Sequence, residues 1–218
     1  NKQMRAYEAA HPEENLEIED ESGNAELPKE VKRSLTFLLF SVAFWFFAYN
    51  AMETWFTTYA KSVWDMTTGQ ASLCLTVATG GAILAYVPVG SIAAKIGRKK
   101  TILSGIIMML ISFVAALIFS MMSESFHPFL YVLFLLVGFG WAGINVNSLP
   151  MVLEMCKGSD IGKFTGYYYT FSRSAQIVTP IVAGFLMEHV GYKTLFPYAA
   201  VFMIIAFITM QFVKHGDS

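Results

Sequence analysis

The chain has 218 residues, 55% of them hydrophobic and 14% charged, with a mean hydropathy of +0.51. Soluble domains carry about 25% charged residues, so this composition excludes an ordinary soluble domain and points to lipid. A formal net charge of -1 lacks the basic excess that phosphate binding needs, which argues against a nucleic-acid partner.

Residues 1-33 are polar and acid-rich ("HPEENLEIEDESGNAELPKEVKR"), with few large apolar side chains to offset the entropy of ordering. They read as a solvated cytoplasmic linker. The chain starts at Asn1, with no signal-peptide pattern, so it reads as a piece of something longer. From 34 to 218 the character changes to a six-helix transmembrane bundle, with apolar segments at about 35-60, 70-94, 101-122, 129-153, 163-187 and 194-213. Each is near the roughly 20 residues an apolar helix needs to span a bilayer. Short polar breaks separate them, and backbone groups in lipid must be satisfied within the segment, so the fold class is all-α rather than a barrel of short alternating strands.

The first segment places Phe46, Asn50, Glu53 and Thr57 on one helical stripe. Glu53 is the carboxylate inside a span; it either takes part in ion coupling, with a proton or sodium ion, or reaches outward to the interface. In the second, Ser72, Thr76, Thr79, Ile83 and Tyr86 form a stripe ending at Gly90. Ser72 and Thr76 suit helix packing, while Thr79 and Tyr86 suit either packing or a cavity. The fourth carries Trp141, Asn145 and Ser148 on one side, with Trp141 and Asn145 as candidate ligand contacts, and Gly140, Gly143, Asn147 and Pro150 on another, as a close-contact or hinge face. Glu154 stands at its cytoplasmic end, either solvated or paired with Arg98.

The fifth segment holds Arg173, about ten residues or 15 Å into the helix at 1.5 Å per residue, close to the bilayer midplane. A charge there costs between about 3 and more than 10 kcal/mol. Tyr169, Gln176 and Pro180 share its face. Arg173 is either a strut paired across the bundle or a substrate contact, its planar fork of donors suiting hydroxyls or a carboxylate and Tyr169 stacking on an apolar ring face.

Basic residues sort by loop. With residues 1-33 inside, the inner loops hold Lys32, Arg33, Lys95, Arg98, Lys99, Lys100, Lys157, Lys163 and Lys214, and the outer loops hold Lys61 and Lys193. The asymmetry places both termini in the cytoplasm, in an integral protein of the plasma (inner) membrane. Cys74 and Cys156 form no disulfide framework. His11, His127, His189 and His215 all lie outside the spans or at their ends, so an intramembrane enzyme, which needs its reactive groups at depth, is not expected. No catalytic residue, metal site or bound cofactor is expected either.

Two loops repeat. In "GSIAAKIGRKKTIL" and "GFLMEHVGYKTLF", Gly90, Gly97 and Lys99 match Gly184, Gly191 and Lys193 at one constant offset. Three helices lie between, so the copies sit on opposite faces, as in an inverted 3+3 repeat.

The first loop resembles the signature of the major facilitator superfamily at Gly90, Lys95, Gly97, Arg98 and Lys99; the acidic position of that signature is Ala94 here, and the repeat copy carries Glu188. The resemblance implies half of a twelve-helix carrier, the C-terminal one, whose partner is the N-terminal six-helix half of the same protein. More narrowly, "GWAGINVNSLPMVLEMC" and "IGKFTGYYYTFSRSAQIVTPIVAGFLME" resemble the tenth and eleventh helices of glycoside-pentoside-hexuronide cation symporters and their sucrose-transporter relatives. This implies symport of a sugar, driven by H+ or Na+, by alternating access in the lipid bilayer. The substrate contacts expected are Arg173, Tyr169, Gln176, Asn50, Trp141, Asn145, Thr79 and Tyr86, with Glu53 coupling the ion and Gly90, Lys95, Gly97, Arg98, Lys99 and Glu154 forming the gate and signature loop. Other cargoes on the same fold (a carboxylate, lipid or drug) and a half-size protein that dimerises are the alternatives.

Overall fold

A computed structural model describes residues 27-156 and 160-217. Most of the expected linker, and Lys157, lie outside the described residues. Among those described, six long helices follow one another: α1 (Lys29–Trp64), α2 (Thr68–Ile96), α3 (Arg98–Met122), α4 (Leu130–Leu153), α5 (Ile161–His189) and α6 (Leu195–Gln211), the last preceded by a 3-10 turn at Tyr192–Thr194.

The first helix begins at Lys29, inside the stretch read as linker. Pro28 precedes it and Glu30 lies in its first turn, where an acid complements the positive end of the helix dipole. Hydropathy detects contact with lipid, and the first turns of α1 are helical without being apolar. The other end of α1 runs on to Trp64 and closes when the Met66 N–H donates to the Ala60 carbonyl (3.1 Å), with Asp65 in the left-handed region at φ 49°. A reciprocal cap opens α2: the Gln70 N–H donates to Thr67 Oγ1 (3.2 Å) and the Thr67 N–H to Gln70 Oε1 (3.0 Å).

The loop repeat has a structural counterpart. Gly97 adopts φ 95°, ψ 151° and Gly191 φ 127°, ψ 156°, a region that is essentially restricted to glycine. Each glycine turns the chain between a long helix and the next helical element. Packing repeats too: α4 lies against α2 and α3, α1 lies against α5 and α6, and α3 meets α6. Advancing every helix number by three, cyclically, converts the first set of contacts into the second. This is the two-fold relation of an inverted repeat.

The two sub-bundles are held by different means. Glycine lets α4 approach its neighbours backbone to backbone. A Cβ on Gly140 would stand 2.6 Å from the Gly105 carbonyl oxygen of α3, one on Gly138 would collide with the Ala78 carbonyl of α2, and Leu135 covers Gly81. Small residues of this kind are how helices pack where lipid removes the hydrophobic driving force. Around α1 the contacts are aromatic: Phe47 stacks on Phe202 at 4.9 Å, and the Trp55 indole fills the space above Gly184 while donating to the Pro180 carbonyl (3.0 Å). Hydroxyl pairs, Ser41 with Thr209 (2.7 Å) and Tyr59 with Ser120, join α1 to α6 and α3.

Among the described residues, five elements, α1 to α4 and Tyr192–Gln211, are long and apolar enough to cross a membrane. The fifth helix, α5, also expected as a span, is long enough at 29 residues and is less apolar than the others, because Lys163, Arg173, Gln176, Glu188 and a run of hydroxyls interrupt it. Arg173 and Gln176 of this set line the cavity described next.

Candidate functional site

Midway along the bundle, α1, α4 and α5 diverge around a cavity of about 380 Å³ lined by Phe46, Trp141, Asn145, Leu149, Tyr168, Tyr169, Ser172, Arg173 and Gln176. The polar content of α5 follows from this placement: residues 168, 169, 172, 173 and 176 recur at helical spacing and turn one face of the helix toward the open volume.

Arg173 lies exposed in the cavity, donates from Nη1 to Gln176 Oε1 (2.7 Å) and sits 6.0 Å from the centre of the Tyr169 ring. Gln176 fixes one arm of the guanidinium from within the same helix. Among the described residues, no carboxylate lines this cavity. Arg173 thus borders the cavity while its hydrogen bond to Gln176 stays within α5.

The aromatic wall is held from behind. Trp141 lies parallel to Tyr49 (3.8 Å between centroids, 5° between planes) and edge-on to Phe46 (5.2 Å, 89°), the second being an arrangement that aromatic quadrupoles favour. Tyr168 pairs its hydroxyl with Ser148 (2.8 Å) across α4 and α5 and meets Tyr169 edge-on at 5.5 Å. These rings are therefore positioned before any solute arrives.

Among the expected contacts, Arg173, Tyr169, Gln176, Trp141 and Asn145 line this cavity, and Asn50, Thr79 and Tyr86 do not. Asn50 is buried and its Nδ2 donates to the Phe46 carbonyl one turn back (2.8 Å), so its amide serves its own helix. The Thr79 hydroxyl does the same with Leu75 (3.0 Å), and α2 supplies no lining residue at all. Glu53 is exposed on α1, one turn beyond Tyr49, and is likewise outside the lining. Phe46, Leu149, Tyr168 and Ser172 were not among the expected contacts. Phe46 already stood on the stripe with Asn50, and the i to i+4 pair Tyr168 and Ser172 beside Arg173 was the signal for the other two on α5.

At the end of the bundle that carries the signature loop, Arg98 and Glu154 form an ion pair, with 29% and 24% of their side chains exposed. It joins the first residue of α3 to the cap of α4. Gly90 faces open space and Lys95 is exposed. Lys99 instead turns to the chain's end, its Nζ donating to the carbonyls of Val213 (2.5 Å) and Gln211 (3.2 Å).

The Major Facilitator Superfamily profile matches residues 61-217, well over half of the chain. The chain belongs to the major facilitator superfamily. Among curated proteins, this superfamily member is 27% identical over 134 residues to the MFS-type transporter ppzB of Metarhizium rileyi (strain RCEF 4871), covering 62% of its own length and 27% of that protein. Its fold is similar to the human organic anion transporter MFSD10 (TETRAN), at a TM-score of 0.68 and 12% identity, covering 87% of this chain and 49% of that one. It is also similar to a POT family transporter crystallised with a thioalcohol-conjugated peptide (TM-score 0.65, 17% identity, 81% and 37% covered). A bacterial homologue of the iron transporter ferroportin, in an outward-facing state, matches at 0.63 with 14% identity and coverage of 81% and 48%. The superfamily member thus spans between about a quarter and half of the length of these relatives, and at such identities the structures establish the fold alone.

Proposed function

We propose that this chain forms one six-helix half of a secondary active transporter, integral to the plasma membrane with both termini cytoplasmic, that carries a sugar or glycoside together with a proton or sodium ion. The other half is six further helices of the same protein, and the solute sits between the halves while they rock about it. The observation that carries this reading is the mid-helix cavity, where Arg173, Gln176 and Asn145 supply hydrogen-bonding groups and Trp141, Tyr168 and Tyr169 supply ring faces. That mixture suits a solute with hydroxyls around an apolar face. No step in this cycle makes or breaks a bond of the solute, so the protein is read as a carrier and not an enzyme.

A second reading, an organic carboxylate as cargo, is favoured by one feature: a guanidinium with no carboxylate among the cavity's lining residues. Planar forks of this kind take carboxylates bidentately. Glu53, one turn from the Tyr49 that backs Trp141, is the proposed ion-coupling group on either reading. Arg98 and Glu154 are proposed as the inner gate, paired in one state of the cycle and parted in another.

The test is uptake by the full-length protein in sealed vesicles, using labelled glycosides and labelled carboxylates under imposed proton or sodium gradients. Saturable uptake of one class, collapsed by the matching ionophore, is the expected result. Uptake of both classes indifferent to every gradient would overturn coupled transport, and competition between the classes identifies the cargo.

A further inference from the structure

The signature loop has Ala94 where its acid belongs, yet the structure brings a carboxylate to this loop from far away in sequence. Asp217 Oδ1 accepts the Lys99 backbone N–H (2.8 Å) and lies 2.8 Å from where a Cβ on Gly97 would stand. Any side chain at 97 would expel it. Gly97 caps α3 without a side chain, so one first-turn N–H of this 25-residue helix, that of Lys99, takes its acid from the segment beyond α6.

The tail that delivers Asp217 is tied at several points. The Lys214 N–H donates to Ser34 Oγ (3.1 Å), and the same hydroxyl pairs with His215 Nδ1 (2.9 Å). Phe212 stacks on Phe37 at 5.0 Å, Val213 is fully buried, and Gly216 at φ 82° turns the chain against Met151 and Met155 of the α4 end. Residues 212-217 therefore cross from α6 over the starts of α1 and α3 to the end of α4. Arg98 lies between the two residues that Asp217 touches, and its partner Glu154 lies between Met151 and Met155.

We propose that Asp217 is a positioning residue for the Arg98–Glu154 pair, holding the first turn of α3 so that position 98 faces position 154, in place of the acid that Ala94 lacks. This rests on the gate reading above, and residues 212-217 are then part of the gate.

The test uses the full-length protein with Cys74 and Cys156 replaced by alanine and the pair replaced as Arg98→Cys with Glu154→Cys. A short bifunctional thiol crosslinker is applied with Asp217 present or changed to Asn or Glu, and thermal stability is recorded beside it. Crosslinking yield should fall at least threefold in Asp217→Asn and be largely retained in Asp217→Glu. Unchanged yield in Asp217→Asn overturns the proposal even if the protein melts lower, because a mere helix cap alters stability and not the facing of the two positions. Asp217→Ser carries the same comparison if the asparagine variant does not insert. The gate reading is judged separately, by uptake in Glu154→Gln: unchanged uptake there sinks the gate while leaving the crosslinking result to decide what Asp217 does.

Discussion

Replacing Arg173 by glutamine should weaken solute binding while leaving the bundle standing, and the structure sets the size of both effects. The guanidinium is exposed in the cavity and its hydrogen bond to Gln176 lies within its own helix. Its removal therefore breaks no bond between helices, and the stability cost should stay within about 0.5 kcal/mol, as for surface positions. A hydrogen bond to a charged partner is worth about 1.5 to 3 kcal/mol, which corresponds to a loss of affinity of about ten- to a hundredfold. Arg173→Lys keeps the charge without the planar fork and should recover little if two parallel hydrogen bonds are made. The assay is equilibrium binding of the transported solute to purified full-length protein, with a thermal melt on the same preparation. Wild-type affinity in Arg173→Gln would refute the reasoning, as would an affinity loss that merely tracks the fraction of unfolded protein.

Three further outcomes are expected. Reversing Arg98 or Glu154 alone should slow uptake several-fold, and exchanging the two should restore part of it, since a half-exposed pair worth up to about 1 kcal/mol depends mostly on sign; an exchange no better than the single reversals removes the pair from the gate. Gly138→Ala, which drives a methyl group into the Ala78 carbonyl, should cost about 1 to 3 kcal/mol and lower the melting temperature in detergent, whereas Gly90→Ala, with nothing within 4 Å, should not. Cysteine introduced at Lys99 should react with an impermeant reagent only from the cytoplasm, and at Glu124 only from outside; the opposite pattern inverts the orientation.

The parts of this fold that a sequence displays are those set by local chemistry. Helix existence followed from apolar length, and the twin glycine turns at 97 and 191 from a conformation that few other residues adopt. Arg173 announced itself because a charge in an apolar run has few cheap explanations. Its neighbours were harder. The α5 run Tyr167-Tyr168-Tyr169 offers rings to every direction, and only the packing of α1 and α4 decides that Tyr168 and Tyr169 border the cavity. Asn50 shows the converse: polar residues on a stripe can spend hydrogen bonds on their own backbone. Asp217 lies 118 residues from the backbone it caps, so no local pattern could join the two.

The polarity of α5 also bears on how the protein is made. A helix leaving the ribosome is sorted by its own apolar character, and an arginine at the helix centre opposes entry into lipid by about 2.5 to 3.5 kcal/mol. The other membrane-crossing elements are long and apolar enough to cross by composition. For α5, the surfaces that make entry tolerable are already synthesised: Trp55 of α1, seated over Gly184 and bonded to the Pro180 carbonyl, and Ser148 of α4, waiting for Tyr168. Its integration is therefore a docking event onto helices inserted earlier, and weakening Trp55 should show first as protein that is synthesised but cleared before it reaches its membrane.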